Sequence, residues 1–138
     1  MVSIVDRVPP KGINLFHAAT LAGALTLFLA TLLADYAYWS SHQIQWSNFA
    51  SWLVIGAMVL VSIAIIFEIV DLVRGSRGAI YIVLLVATWI VGLFDALQHA
   101  RDAWGIMPTA LLLSVVAAVL ALVATWIGFA SLRAGGVR

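Results

Sequence analysis

The chain has 138 residues, of which 64% are hydrophobic and only 9% are charged, and its formal net charge is +1. An average soluble domain is about 45–50% apolar and about 25% charged, so this composition is typical of a protein embedded in lipid. The small net charge and the lack of a basic run argue against nucleic-acid binding. The chain has no cysteine, which excludes disulfides, iron–sulfur clusters and covalently attached c-type haem.

Four long apolar segments predict four transmembrane helices, at about residues 13–38, 48–73, 79–104 and 108–132. A helix of about 25 residues rises 1.5 Å per residue and spans a hydrocarbon core of about 30 Å. Asn14 is the candidate cap of the first helix, Ser47 or Asn48 that of the second, and Pro108 suits the first position of the fourth. We therefore expect an all-α integral membrane protein, a single domain of residues 1–138 that forms an antiparallel four-helix bundle.

The basic residues predict the orientation of this bundle. Only one of the seven lysine and arginine residues, Arg101, lies near the end of the third predicted helix, on the side of the membrane opposite both termini. The other six lie at the termini or in the turn between the second and third helices: Arg7, Lys11, Arg74, Arg77, Arg133 and Arg138. Because lysine and arginine are enriched in cytoplasmic loops, we expect both termini in the cytoplasm. The opposite side carries a predicted aromatic belt, made of Tyr36, Tyr38, Trp39, Trp46, Trp52 and Trp104.

Small residues recur at three- or four-residue spacing on the first and fourth helices, namely Ala19, Gly23, Ala117, Ala121, Ala124 and Gly128. Such positions let helix backbones approach closely, which drives helix association in lipid. Packing within the bundle is the simpler interpretation, and homodimerisation is the alternative.

Three ionisable residues lie on the cytoplasmic half of the predicted helices. By the helical rise, His17 is about 12 Å and Glu68 about 10 Å from the helix centres, and Asp71 follows Glu68 on the same face. A hydrogen bond between His17 and Glu68, with Asp71 reaching Arg74 or Lys11, is one way to satisfy these buried groups. A proton-handling site is the second interpretation, because a histidine beside a carboxylate titrates readily. A metal or haem ligand is the third.

A second polar group lies on the outer half. Asp95 and His99 are four residues apart on the third helix, so their side chains should meet on one face. Asp35 lies at comparable depth on the first helix. A carboxylate beside a histidine is the arrangement that orients a metal-ligating imidazole, and it is also an ordinary way to satisfy two buried polar groups. His42 falls in the outer connection, where we expect a solvated loop residue.

Depth restricts any haem model. His17 and His99 are more than about 20 Å apart along the membrane normal, so they cannot ligate the same haem. An outer haem b would need His99 together with His42, Met107, Met58 or the histidine of a second subunit. The pattern of two histidines for each haem, found in four-helix b-type cytochromes, is not present.

Several residues along the chain resemble a family of bacterial four-helix membrane proteins, the domain of unknown function 2231. The first half contributes His17, Asp35, Trp46, Ala50, Trp52-Leu53, Gly56 and Asp71. The second half contributes the run from His99 to Trp104, then Pro108-Thr109-Ala110, Ser114, Trp126, Gly128 and Gly136-Val137. In this family a proline often follows the first histidine, whereas Ala18 follows it here.

The resemblance implies a multi-pass protein of the bacterial inner membrane without an established activity. Similar proteins are often encoded near periplasmic quinoprotein sugar dehydrogenases or c-type cytochromes, which implies a partner of that kind. The resemblance therefore suggests a membrane subunit of a periplasmic redox enzyme.

Three functions are consistent with these observations. The first is an accessory or anchor subunit of a periplasmic redox enzyme that relays electrons through a haem b or quinone site near His99, Asp95, Asp35 and Met107. The second is a proton- or solute-handling protein that uses His17, Glu68 and Asp71. The third is a purely structural bundle. Nucleotide-binding and hydrolase motifs are absent from the sequence, so we expect no catalysis by the chain on its own.

Overall fold

A computed structural model describes residues 13–75 and 79–134 of the chain. These residues form four long helices, α1 (Leu15–Ser41), α2 (Ile44–Val73), α3 (Ala79–His99) and α4 (Thr109–Ala134), and a short 3-10 helix at Ala103–Gly105. The described ranges contain no β-strand. All four long helices are long and apolar enough to cross a membrane. The predicted all-α membrane fold with four spanning helices is therefore confirmed.

The helices form a closed bundle in which α1 packs against α2 and α4, and α3 packs against the same two neighbours. The centre is filled by Phe28, Val54, Val61 and several small residues of α4. Most large apolar side chains instead point outward, such as Leu33 at 69% exposure and Ile80 at 84%. A continuous apolar surface of this kind would be unusual on a soluble monomer, and here it faces lipid.

The small residues of α4 pack inside the bundle, as predicted. Ala117, Ala121 and Ala124 are no more than 4% exposed. A Cβ atom added to Gly128 would lie 2.7 Å from Leu21 Cδ1 and 3.0 Å from the Tyr81 hydroxyl oxygen, so a larger residue at this position would displace side chains of α1 and α3. On α1, by contrast, Ala19 is exposed and does not contribute to this packing.

Both ends of α1 are closed by hydrogen bonds to the backbone. The side chain of Asn14 accepts a hydrogen bond from the backbone N–H of His17 at 2.7 Å, which confirms the predicted cap. At the other end His42 adopts a left-handed conformation, with φ of 55°, and its N–H donates to the carbonyl of Tyr38 at 2.8 Å. Helix α1 therefore extends to Ser41, beyond the predicted end near residue 38.

The second helix begins earlier than predicted. Only His42 and Gln43 separate α1 from α2, and Gln43 makes no side-chain capping hydrogen bond. The prediction that Ser47 or Asn48 caps α2 is wrong, because the tight turn at His42 lets the helix resume at Ile44. Ser47 is consequently one turn inside the helix, where it is buried. His42 itself is exposed, as predicted for a loop residue.

The third helix ends at His99 rather than near residue 104. Asp102 takes an extended ψ of 125°, and its carboxylate accepts a hydrogen bond from the Trp104 N–H at 3.3 Å. Aspartate side chains that bond to the nearby backbone compete with helix continuation. The connection then folds onto the bundle, where the Tyr38 hydroxyl donates to the Ala103 carbonyl at 2.9 Å. His99 is therefore the last residue of its helix, beside an irregular connection.

The two ends of the bundle differ in character. The Arg101 end holds the α1–α2 connection and the segment between α3 and α4, and the Arg74 end holds the turn after α2. Five of the predicted belt residues are exposed near the Arg101 end: Tyr36, Trp39, Trp46, Trp52 and Trp104. The sixth, Tyr38, is only 4% exposed and is a core residue rather than part of the belt. Which end faces the cytoplasm stays a prediction from the basic residues.

Candidate functional site

A buried polar triad lies near the Arg101 end of the bundle, formed by Asp35 on α1 and by Asp95 and His99 on α3. His99 Nε2 lies 2.8 Å from Asp35 Oδ1. His99 Nδ1 lies 2.9 Å from the backbone carbonyl oxygen of Asp95 and 3.3 Å from its Oδ1. Both aspartates are 0% exposed and His99 is 8% exposed. The predicted meeting of Asp95 with His99 is therefore observed, and Asp35 is a direct third member.

The chemical nature of the atoms that face the two ring nitrogens of His99 determines where the protons of the triad lie. A backbone carbonyl can only accept a hydrogen bond, so His99 Nδ1 carries the proton that it donates to Asp95 O. One further proton lies between His99 Nε2 and Asp35 Oδ1, since two bare acceptors would not approach to 2.8 Å. It resides either on the imidazole or on the carboxyl group. His99 therefore has both ring nitrogens engaged within the protein.

Three carboxylate oxygens of the triad lack a hydrogen bond to other described residues. Within the described residues, Asp95 Oδ1, Asp95 Oδ2 and Asp35 Oδ2 are buried without a hydrogen-bond partner. Leaving a buried polar atom unsatisfied costs about 1–3 kcal/mol, and more for a charged group. Asp35, Asp95 and His99 each offer one ligand atom within 4.8 Å of the other two. The triad could thus hold a metal ion.

An open groove of about 340 Å³ adjoins the triad between the start of α2 and the end of α3. Small-molecule pockets have volumes of about 300–1,000 Å³, so the groove is at the lower end of that range. Its lining includes six residues with polar side chains and two apolar ones, and it consists of Ile44, Gln45, Ser47, Asn48, Ser51, His99, Arg101 and Ala103. His99 thus connects the buried triad with a surface site.

The polar residues of this groove at the start of α2 were not predicted as site residues. Gln45, Ser47, Asn48 and Ser51 are hydrophilic positions in the first two turns of a helix that is otherwise strongly apolar. That contrast is a usable signal in the sequence. It points to a site only once α2 is known to begin at Ile44, because a later start makes two of these residues look like helix caps.

The sulfur and imidazole partners considered for an outer haem do not line the groove. Met107 packs with the apolar cluster of Tyr38, Ile106 and Ala110, and Met58 packs against the central core cluster. Haem ligation through Nε2 of His99 would require Asp35 to move away, because its carboxylate occupies the position of the iron. Among the residues that line the groove, His99 therefore has no methionine or second histidine as a partner.

A second polar cluster lies toward the Arg74 end. His17 and Glu68 are 0% exposed, and Asp71 has a ligand atom within 4.8 Å of theirs. The imidazole of His17 stacks on Phe67, with ring centroids 5.8 Å apart. The predicted grouping of these three residues by depth is thus observed. The partner proposed for Asp71 at Lys11 lies outside the described residues, and pairing with Arg74 stays a prediction.

Comparison with known proteins identifies a family for the chain. A family model described as a predicted membrane protein, the domain of unknown function 2231, matches residues 14–137. No curated protein and no solved structure gives a significant match.

Proposed function

The chain belongs to the family of predicted membrane proteins called domain of unknown function 2231, and from that premise we propose that it is an accessory or anchor subunit of a periplasmic redox enzyme, with a quinone site in the groove beside His99. The observation that carries this proposal is the polar groove at the Arg101 end, at the depth where the helices leave the lipid. A lipid-soluble quinone reaches such a site from the membrane, and a periplasmic enzyme reaches it from the aqueous side.

The groove has the donors that a quinone head group needs. The two carbonyl oxygens of a quinone accept hydrogen bonds, and they carry more negative charge when the ring is reduced. Gln45 and Asn48 present exposed amides, and Arg101 presents an exposed guanidinium. Arg101 Nη1 is held 3.2 Å from the Gln98 side-chain oxygen, which fixes its position at the edge of the groove. A cation there favours the reduced, more negative form of the ring.

The surroundings suit the apolar tail of a quinone. Trp46, Phe49 and Trp52 are exposed on the first two turns of α2, and the rings of Trp46 and Phe49 lie 6.0 Å apart between centroids. Aromatic rings at this depth hold a protein at the membrane interface. Ile44 is 60% exposed and also lines the groove, so it offers an apolar contact between the groove and its surroundings. A membrane subunit built this way brings a quinone to a periplasmic dehydrogenase or c-type cytochrome.

Titration with a short-chain ubiquinone analogue tests the quinone site. In detergent, binding should quench tryptophan fluorescence and saturate. The Arg101→Ala variant should raise Kd at least tenfold, which corresponds to about 1.4 kcal/mol. Arg133→Ala is the matched control, since it removes an exposed arginine at the opposite end and should leave Kd unchanged. Quenching that never saturates, or equal Kd values for the two variants, would contradict the quinone site.

The anchor role needs its own test. A tagged chain is expressed in its native host and purified from the membrane. It should co-purify with a quinoprotein dehydrogenase or a c-type cytochrome, which mass spectrometry identifies. An absorption spectrum of the same preparation distinguishes a haem carried by the chain itself, because haem b would give a Soret band in the subunit after the partner is removed. Isolation of the chain alone under gentle detergent conditions would count against the anchor role.

The cluster of His17, Glu68 and Asp71 supports a second candidate, a proton-handling function. Two of these residues are fully buried, and ionisable residues at membrane depth commonly mark proton or ion pathways. In proteoliposomes, the wild-type chain should then speed the decay of an imposed pH gradient, and Glu68→Gln should abolish that effect. Equal decay rates for wild type, Glu68→Gln and empty liposomes would reject this candidate.

A further inference from the structure

We propose that Asp35, Asp95 and His99 bind one divalent transition-metal ion of the Zn²⁺, Mn²⁺ or Fe²⁺ class. This inference goes beyond the quinone site and does not depend on it, because the groove donors and the triad are different groups apart from His99. The proposal rests on the orphaned carboxylate oxygens, the distances within the triad and the charge that these residues carry.

The charge balance is the first argument. Two aspartates that are 0% exposed present up to two negative charges on spanning helices, and His99 can offset only one of them. Buried charges persist when they are paired or coordinate metals. A divalent cation neutralises both carboxylates. It also occupies the buried oxygens of Asp95, which have no hydrogen-bond partner among the described residues.

The distances are the second argument. Metal bonds to nitrogen and oxygen of about 2.0–2.2 Å place neighbouring ligand atoms about 3 Å apart and opposite ones about 4 Å apart. His99 Nε2 and Asp35 Oδ1 are 2.8 Å apart, and the ligand atoms of all three residues lie within 4.8 Å of one another. A cation that replaces the proton between Nε2 and Oδ1 therefore keeps Asp35 and His99 as ligands. Binding by all three residues requires the Asp95 carboxylate, whose Oδ1 lies 3.3 Å from Nδ1, to turn toward the cation.

The orientation of His99 is the third argument. A ligating histidine usually donates its other ring N–H to a carbonyl or carboxylate, which fixes the ring and raises its basicity. His99 Nδ1 donates to the Asp95 backbone carbonyl at 2.9 Å, so Nε2 is the nitrogen turned toward the metal position. This hydrogen bond within α3 fixes the orientation of the His99 ring, so that Nε2 faces the Asp35 carboxylate on α1.

The donor set selects the class of metal. One imidazole and two carboxylates, with no sulfur, suit Zn²⁺, Mn²⁺ and Fe²⁺ better than Cu⁺, which prefers thiolate and thioether ligands. Ca²⁺ and Mg²⁺ prefer oxygen ligands throughout. The groove gives an ion access from the surface, since His99 and Arg101 line its wall, and it leaves room for water or a small ligand on the metal.

Cobalt binding tests the proposal. The full chain is purified in detergent, stripped with a chelator and titrated with Co²⁺, whose visible absorption reports coordination by nitrogen and oxygen. We expect one Co²⁺ for each chain, displaced by Zn²⁺. Asp95→Asn should raise the Kd for Co²⁺ at least tenfold. Asp102→Asn, which alters an exposed carboxylate at the same end, is the matched control and should change Kd less than twofold.

The outcomes separate the candidate sites. Loss of Co²⁺ binding in Glu68→Gln but not in Asp95→Asn would assign the ion to the other cluster and overturn the proposal, as would failure of the wild-type chain to retain Co²⁺. Helical circular dichroism and gel filtration check that each variant folds. If Asp95→Asn does not fold, His99→Gln takes its place with the same expected loss. Quinone titration of the stripped protein is scored separately, so failure of one site does not imply failure of the other.

Discussion

Two alanine variants of the metal-free protein, Asp35→Ala and Asp95→Ala, should differ in stability although each removes a carboxylate that is 0% exposed. Asp35→Ala deletes the 2.8 Å contact to His99 Nε2 and leaves that buried nitrogen without its partner. Asp95→Ala deletes side-chain oxygens that make no hydrogen bond within the described residues, and it removes only the longer 3.3 Å contact between Asp95 Oδ1 and His99 Nδ1. His99 Nδ1 keeps its acceptor in the second variant, because that acceptor is the backbone carbonyl of residue 95.

The size of the difference follows from the hydrogen bonds. A bond to a charged group contributes about 1.5–3 kcal/mol, and a buried polar atom left without a partner costs about 1–3 kcal/mol. We expect Asp35→Ala to lower the free energy of unfolding by about 2–4 kcal/mol more than Asp95→Ala. Both substitutions delete the same atoms from a side chain that is 0% exposed, so the loss of packing contributes little to this difference.

Unfolding by dodecyl sulfate in mixed micelles, followed by tryptophan fluorescence with a chelator present, measures both free energies. A double-mutant cycle with His99→Ala isolates the pairwise contribution. The coupling energy should be about 1.5–3 kcal/mol for Asp35 with His99 and smaller for Asp95 with His99. An Asp95→Ala variant as unstable as Asp35→Ala would refute the assignment of Asp35 as the main partner of the imidazole.

Two further predictions concern the bundle itself. A Cβ atom at Gly92 would lie 2.5 Å from Met58 Sδ, so Gly92→Ala should lower the free energy of unfolding by about 1–3 kcal/mol. The control Gly105→Ala, where no atom lies within 4 Å of an added Cβ, should be close to neutral in the same unfolding assay. Reporter fusions at Gly75 should be cytoplasmic and those at His42 periplasmic. The opposite pattern would show that the orientation is reversed, and it would contradict the proposal of a periplasmic partner.

The polar clusters show how far local spacing predicts a site. Residues four apart on a helix must meet, whatever the rest of the fold, so the contact between Asp95 and His99 follows from the sequence. Depth along the membrane normal is also set locally, by counting residues from the helix ends. It was enough to group His17 with Glu68 and to align Asp35 with the outer pair.

Helix boundaries were harder to predict where connections are short or irregular. The left-handed turn at His42 and the extended conformation of Asp102 depend on backbone geometry rather than on composition. As a result, the predicted caps at Ser47 and Asn48 were wrong, and His99 proved to be the last residue of α3. The polar residues at the start of α2 line a groove and do not cap the helix.

The sequence by itself determined that this protein is a four-helix membrane protein. It also determined that the buried ionisable residues fall into two groups at different depths. Both conclusions follow from length, hydropathy and helical rise, which are properties of each segment alone. Only the tertiary structure decided which faces meet. The rotation of α1 brings Asp35 onto His99, and the folding of the α3–α4 connection onto the bundle buries Tyr38. Rotation about a helix axis depends on how side chains pack between helices, and an apolar segment surrounded by lipid carries little sequence signal of which of its faces will be buried.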